Sequence, residues 1–143
     1  MRRADSAMPD FRFPQKILFK HCDPAGIGFY PRYVEIINDA VEAMFDDLLG
    51  WPFAEIVATG GVPTASIHIE FEAPCRLGDH ITLEITIDRV GDSSMTLQTE
   101  ALSDSARRFH VRQVLVCIGE DGRPRRWPDH LRAKVDEIME GRT

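Results

Sequence analysis

Hydrophobic residues between positions 31 and 49 recur every three or four residues, and mostly charged residues fill the positions between them. This spacing predicts an amphipathic helix, because side chains three and four residues apart share one helical face. The apolar positions are Tyr33, Ile36, Ile37, Ala40, Val41, Met44, Phe45 and Leu48. Pro31 suits the first turn, because the backbone N–H that proline lacks would have no intrahelical acceptor there. Gly50 marks the end of the predicted helix. At about 1.5 Å per residue, this helix would span most of a small domain.

After this helix the pattern changes to an alternation of apolar and polar residues, which is typical of half-buried strands. The alternating segments cover residues 65–72, 80–90, 94–102 and 107–118. A further strand is predicted over 11–20, where Pro14 confines the first half to a sheet edge, a bulge or a strand start. A short charged helix is predicted over 128–140. This order of elements predicts an α+β fold, in which the long helix covers one face of an antiparallel sheet.

Length and composition fit one globular domain. The chain has 143 residues, of which 43% are hydrophobic and 28% are charged, as in ordinary single-domain proteins. We expect a flexible N-terminal tail over residues 1–10 and a single domain over 11–143.

Charge and hydropathy exclude two classes of partner. With 17 Lys and Arg against 23 Asp and Glu, the chain carries a formal net charge of -6, which has the wrong sign for binding nucleic acid. Its apolar runs are far shorter than the roughly 20 residues of a membrane span. Arg2 and Arg3 are not followed by the apolar stretch of a secretion signal. We therefore expect a cytoplasmic protein that binds neither nucleic acid nor membrane.

Cysteines and histidines give no metal or disulfide pattern. The three cysteines have no C-x-x-C spacing, and the five histidines have no paired helical spacing. We expect reduced thiols and no metal site.

The Gly- and Pro-rich segment HCDPAGIGFYP, residues 21–31, places a carboxylate, Asp23, just before the long helix. Free N–H groups at a helix N-terminus can hold an oxyanion. A carboxylate beside them can attack an acyl carbonyl or activate water. Alternatively, Asp23 only caps the turn before Pro24.

The sequence Asp-Pro-Ala-Gly-Ile at 23–27, followed by Phe-Tyr-Pro at 29–31 and a long helix, resembles the active-site loop of the 4-hydroxybenzoyl-CoA thioesterase family. The resemblance extends over about residues 11–118. It implies the hotdog fold, a curved antiparallel sheet wrapped around one long central helix. It also implies Asp23 as nucleophile or general base and the backbone amide of Tyr30 as oxyanion donor. The expected activity is hydrolysis of an acyl- or aroyl-CoA thioester to the free acid and coenzyme A, without metal or redox cofactor.

Further residues are candidates for binding the substrate. The resemblance puts neutral Asn38 where hydroxybenzoyl-type enzymes carry a carboxylate for the aryl hydroxyl, and puts Gly28 where the family usually has valine. His21, beside the motif, and His68, on a predicted strand, are candidate hydrogen-bonding partners for the loop. The alternative for His68 is a purely structural role. Arginines bind phosphate bidentately, so Arg123, Arg125 and Arg126 are the candidates for binding the coenzyme A phosphates, with Arg107 and Arg108 next in line. The alternative is that these arginines are merely solvated.

The resemblance also implies a homodimer or homotetramer in which the sheets of two subunits continue into each other. The alternative function is a non-catalytic hotdog module that binds an acyl thioester or a protein partner. Such a module would not need the carboxylate of Asp23.

Overall fold

In the computed structural model, which describes residues 8–104 and 106–142, five strands form one antiparallel sheet. The strands are β1 (Phe11–Lys16), β3 (Thr64–Phe71), β4 (His80–Val90), β5 (Ser94–Ser103) and β6 (Ala106–Val116). Their spatial order is β1-β4-β5-β6-β3. A second, two-stranded sheet pairs β2 (Gly60–Gly61) with β7 (Ile118–Gly119). The predicted α+β fold is therefore confirmed.

The long helix α1 (Tyr30–Asp47) packs its apolar stripe against the inner face of the sheet. Its buried residues are Tyr33, Ile36, Ile37, Ala40, Val41, Met44 and Phe45. Alternate residues of β4, from Ile81 to Ile87, are buried opposite it. Gly50 follows the helix with φ +66°, a left-handed conformation that glycine adopts without steric cost. Helical and strand periodicities thus supply the two sides of one core.

Two further helices complete this core. The short helix α2 (Phe53–Thr59) was not predicted, since seven residues are too few to show a helical period. The C-terminal helix α3 (Asp129–Glu140) lies where it was predicted and buries Leu131 and Val135. All three helices therefore contribute buried residues to the core. In the described part of the chain, no helix is long and apolar enough to cross a membrane.

The first strand is shorter than predicted. It ends at Lys16, and a 3₁₀ turn over Phe19–His21 follows. The physical reason is local, because the Nδ1 atom of His21 accepts the backbone N–H of Leu18 at 2.9 Å and stabilises the turn. This turn leads the chain from the edge of the sheet into the Asp23 loop.

Asp10, the last residue of the predicted N-terminal tail, is anchored to the rest of the domain. Positions 1–7 lie outside the described residues, but the carboxylate of Asp10 accepts the backbone N–H of Ile87 at 2.7 Å and pairs with Arg142. The Asp10 N–H also donates to the carbonyl of Ile85 at 2.8 Å. Asp10 thus joins the start of β1 to β4 and to the end of α3.

Strand β3 forms one edge of the sheet and is exposed along almost its whole length. Ile67 and Phe71, on the side that faces the helix layer, retain 40% and 48% of their accessible surface. Apolar side chains on an open edge strand leave both backbone and side-chain groups available for pairing.

Candidate active site

The Asp23 carboxylate is held by its own loop. Its Oδ1 atom accepts the backbone N–H of Ala25 at 2.9 Å and, more weakly, that of Ile27 at 3.4 Å. Gly26 has φ +76°, which lets the chain reverse so that the Asp23 N–H donates to the carbonyl of Ile27 at 2.9 Å. Among residues 8–104 and 106–142, no group donates a hydrogen bond to Oδ2. Asp23 therefore does cap a turn, as one interpretation expected, but with only one of its two oxygens.

The other end of this loop is the N-terminus of α1. Phe29 is the N-cap residue and has no capping side chain, and its own N–H donates to the carbonyl of His21 at 2.8 Å. Tyr30 is the first residue of the helix, so its backbone N–H has no intrahelical acceptor and carries the positive end of the helix dipole. The loop thus joins a carboxylate to a free helix N-terminus.

A cavity of about 310 Å³ opens beside this helix start; we call it the Tyr30 cavity. Its lining residues are Gly28, Tyr30, Tyr33, Phe71, Glu72, Ala73 and Pro74. Asp23 is not one of them. The walls come from three parts of the chain, namely the loop, the first turn of α1 and the end of β3, and most of the side chains are apolar.

A second cavity, of about 440 Å³, lies on the outer side of α1; we call it the His21 cavity. It is lined by Lys20, His21, Val34, Glu35, Asn38 and Asp39. Because Nδ1 of His21 accepts the Leu18 N–H, the neutral ring carries its proton on Nε2. Burial, and then the charge of Lys20, lower the pKa of His21 below 6.5 and favour this neutral form. Two residues singled out separately in the sequence, His21 and Asn38, thus share one cavity.

The thiols near the site are not activated. Burial, followed by the charges of Asp23 and Asp79, raises the pKa of Cys22, and burial raises that of Cys75. A raised pKa keeps a thiol protonated and weakly nucleophilic at neutral pH. The Asp23 carboxylate is therefore the better candidate for the reacting group.

His68 points away from the helix layer. Strand side chains alternate between faces, and His68 pairs with Arg112 on the sheet face opposite the helix. Its side chain is 69% exposed and lies 3.3 Å from the carboxylate of Glu70. The structure thus places His68 on the sheet face opposite α1, and its contact with the Asp23 loop stays a prediction.

The arginine group lies at the other end of α1. Arg125 donates to the hydroxyl of Thr59 at 3.0 Å and stacks over Trp51, with its guanidinium carbon 5.7 Å from the ring centroid. Trp51 follows the carboxyl end of α1, and 18 helical residues span about 27 Å. Arg123 and Arg126 are exposed neighbours of Arg125 in the chain. The structure therefore separates Arg125 from Tyr30 of the same chain.

Solved structures share this fold. The 1,4-dihydroxy-2-naphthoyl-CoA thioesterase of Synechocystis has a TM-score of 0.82 at 16% identity, with 90% of this chain and 97% of that chain covered. A gentisyl-coenzyme A thioesterase has a TM-score of 0.79 at 23% identity, with coverages of 85% and 99%. A thioesterase from Thermus thermophilus in complex with coenzyme A and zinc has a TM-score of 0.80 at 21% identity, with coverages of 94% and 97%. The chain has the hotdog fold.

The sequence gives the family. Residues 17–135 match the thioesterase-like superfamily. This match includes the Asp23 loop, α1 and the four strands of the main sheet that follow β1. The chain therefore belongs to that superfamily. No curated protein is significantly similar to the chain in sequence.

Sequence reasoning missed the aromatic lining of the Tyr30 cavity. Tyr33 and Phe71 fit the apolar periods of α1 and β3, and such a period predicts a buried face without distinguishing a cavity wall from the core. The one signal was Gly28, which lines the cavity and stands where the resemblance leads us to expect valine.

Proposed function

We propose that the protein is an acyl-CoA thioesterase, which hydrolyses an acyl- or aroyl-CoA thioester to the free acid and coenzyme A. Membership of the thioesterase-like superfamily supports thioester hydrolysis as the reaction. The observation that carries the proposal is the Asp23 loop, which stands just before the free N-terminal amide of α1. The turn fixes one carboxylate oxygen of Asp23, and the other accepts no hydrogen bond from the described residues.

In this proposal, the thioester carbonyl oxygen accepts a hydrogen bond from the backbone N–H of Tyr30. The bond polarises the carbonyl and stabilises the negative charge that develops on its oxygen. The dipole of α1 acts in the same direction. The role belongs to the backbone, so the exposed phenol of Tyr30 is not required for it.

Asp23 then acts in one of two ways. As general base it takes a proton from water, whose oxygen attacks the carbonyl carbon; the C–S bond breaks and coenzyme A leaves as a thiolate that takes up a proton. As nucleophile its Oδ2 attacks the carbonyl carbon directly, coenzyme A leaves, and water hydrolyses the resulting mixed anhydride. Both routes need the oxygen that the turn leaves free.

The remaining site residues have separate roles in the proposal. Asn38, in the His21 cavity, offers an amide to a polar group of the substrate. Arg123, Arg125 and Arg126 are assigned to the coenzyme A phosphates; Arg125 supports this best, because no carboxylate in the described part of the chain pairs with it. His68 stays a candidate for contacts with a second subunit, since it lies on β3, which forms an open edge of the sheet.

The test is thiol release from a panel of acyl-CoA and aroyl-CoA thioesters in the presence of a thiol-reactive dye. We expect at least one thioester to be hydrolysed catalytically, with free acid and coenzyme A formed in equal amounts. Binding of these thioesters without thiol release would contradict the proposal and favour a non-catalytic binding module.

A further inference from the structure

Gly28 stands where almost no other residue fits. A Cβ atom at this position would lie 2.2 Å from the hydroxyl oxygen of Tyr33, and 2.6 and 2.8 Å from its Cζ and Cε1 atoms. These distances are far below van der Waals contact between heavy atoms, which is about 3.5–4.0 Å for carbon. Gly28 does not need its flexibility here, since its φ lies outside the left-handed region that favours glycine. The requirement for glycine therefore comes from the ring of Tyr33.

Tyr33 cannot easily move out of this position. The residue is only 4% exposed. Its ring packs against those of Phe109 and Phe71, with centroid distances of 5.1 and 5.5 Å. Its hydroxyl oxygen accepts the backbone N–H of Cys75 at 3.1 Å, and the N–H of Gly28 donates to the carbonyl of Cys75 at 2.7 Å. The backbone of Cys75 thus holds both the ring of Tyr33 and the Asp23 loop at Gly28.

The phenol of Tyr33 also forms part of the Tyr30 cavity, together with Gly28 and the first residue of α1. The cavity measures about 310 Å³, roughly twice the 150 Å³ of an apolar protein cavity that binds benzene. A volume of this size holds one ring or a short chain, and the phenol of Tyr33 is one of the walls that limit it.

We propose that Tyr33, seated against Gly28, is a specificity-determining residue that closes the Tyr30 cavity and restricts the substrate to compact acyl groups. This inference rests on the proposed thioesterase function. A small residue at 28 and a large one at 33 act as a pair, because the ring of Tyr33 fills the space that a side chain at 28 would take.

The experiment compares kcat/KM for benzoyl-CoA and dodecanoyl-CoA in four proteins: wild type, Tyr33→Leu, Gly28→Ala and the double variant. Leucine lacks the Oη, Cζ and Cε1 atoms, so Tyr33→Leu opens the cavity and raises the dodecanoyl to benzoyl ratio by about 10-fold or more. Gly28→Ala displaces the phenol in the wild type, but it is tolerated in the Tyr33→Leu background. The two effects are therefore strongly non-additive.

Tyr33→Phe is the matched control, because it keeps the ring and changes only the hydroxyl; its ratio should stay near that of the wild type. If Tyr33→Leu does not fold, Tyr33→Met replaces it, since the flexible methionine chain fills core space and can vacate the cavity. An unchanged ratio in the folded variant, or additive effects of the two substitutions, would overturn the inference. Failure of the wild type to hydrolyse any thioester would instead contradict the proposed function.

Discussion

At the scale of single residues, burial lowers the pKa of two histidines. Burial, and then the charge of Lys20, lower the pKa of His21, while Asp39 and Glu35 act in the opposite direction and Arg32 adds to the lowering. Burial, and then Arg107, lower the pKa of His110 on β6. For His21 the neutral ring also has a structural role, because protonation of Nδ1 would remove the acceptor for the Leu18 N–H.

We therefore predict that the folded state loses stability as the pH falls below about 6.5. Above that pH both histidines are neutral in the folded and the unfolded chain, and their contribution is fully present. As the pH falls towards the lowered pKa of the folded state, the unfolded chain binds protons first, and the free energy of unfolding decreases. Denaturant unfolding between about pH 7.5 and about pH 5.5 measures this slope.

His21→Asn should reduce the slope, because asparagine keeps an acceptor near the position of Nδ1 but does not titrate. The matched control is His68→Asn, which replaces an exposed histidine on the opposite face of the sheet and should leave the slope unchanged. A wild-type slope in His21→Asn would show that the His21 turn does not carry this pH dependence.

At the scale of elements, strand β3 is the unfinished part of the sheet. It pairs with β6 on one side only, and Ile67 and Phe71 remain 40% and 48% exposed. Natural proteins rarely leave such an edge uncovered. Pairing of β3 with the same strand of a second copy would continue the sheet and bury these side chains.

We predict a homodimer or larger assembly at micromolar concentration, detected by light scattering as at least twice the 16.2 kDa of the chain. Ile67→Lys places a charge on the edge and should shift the mass towards that of the monomer. Val57→Lys, at a residue of α2 that is 70% exposed, is the control and should not change the mass. A wild type found only at 16.2 kDa would contradict pairing through β3.

The bounds of helices and strands were predicted best where the hydrophobic periodicity is strong. Strand β4 has the predicted bounds, because Ile81, Leu83, Ile85 and Ile87 alternate without interruption. Helix α1 begins one residue before Pro31, as expected for proline in a first turn. The short helix α2 was missed, since its seven residues carry no capping side chain and only one buried residue, Ile56.

At the scale of the whole molecule, the candidate site lies where the chain passes from the sheet edge, β1, to the central helix, α1. The Asp23 loop could be predicted because it is contiguous in the sequence. The two cavities could not, since the Tyr30 cavity needs Phe71 from β3 and the His21 cavity needs the turn that follows β1. The contact between Gly28 and Tyr33 spans only five positions, but it depends on how the loop turns into α1. Sequence patterns thus located the carboxylate proposed as the reacting group, and the shape around it follows only from the tertiary structure.

The central claim is that the carboxylate of Asp23 drives thioester hydrolysis, and kcat of Asp23→Asn tests it most directly. Asparagine keeps the size and the Oδ1 acceptor for the Ala25 N–H, but it removes the charge. We predict a loss of at least about 100-fold in kcat, the scale of losing a positioned base, with the fold and substrate binding retained. Asp46→Asn, an exposed position on α1, should keep wild-type kcat. A folded Asp23→Asn protein with near wild-type kcat would contradict the account and leave Asp23 as a turn cap only.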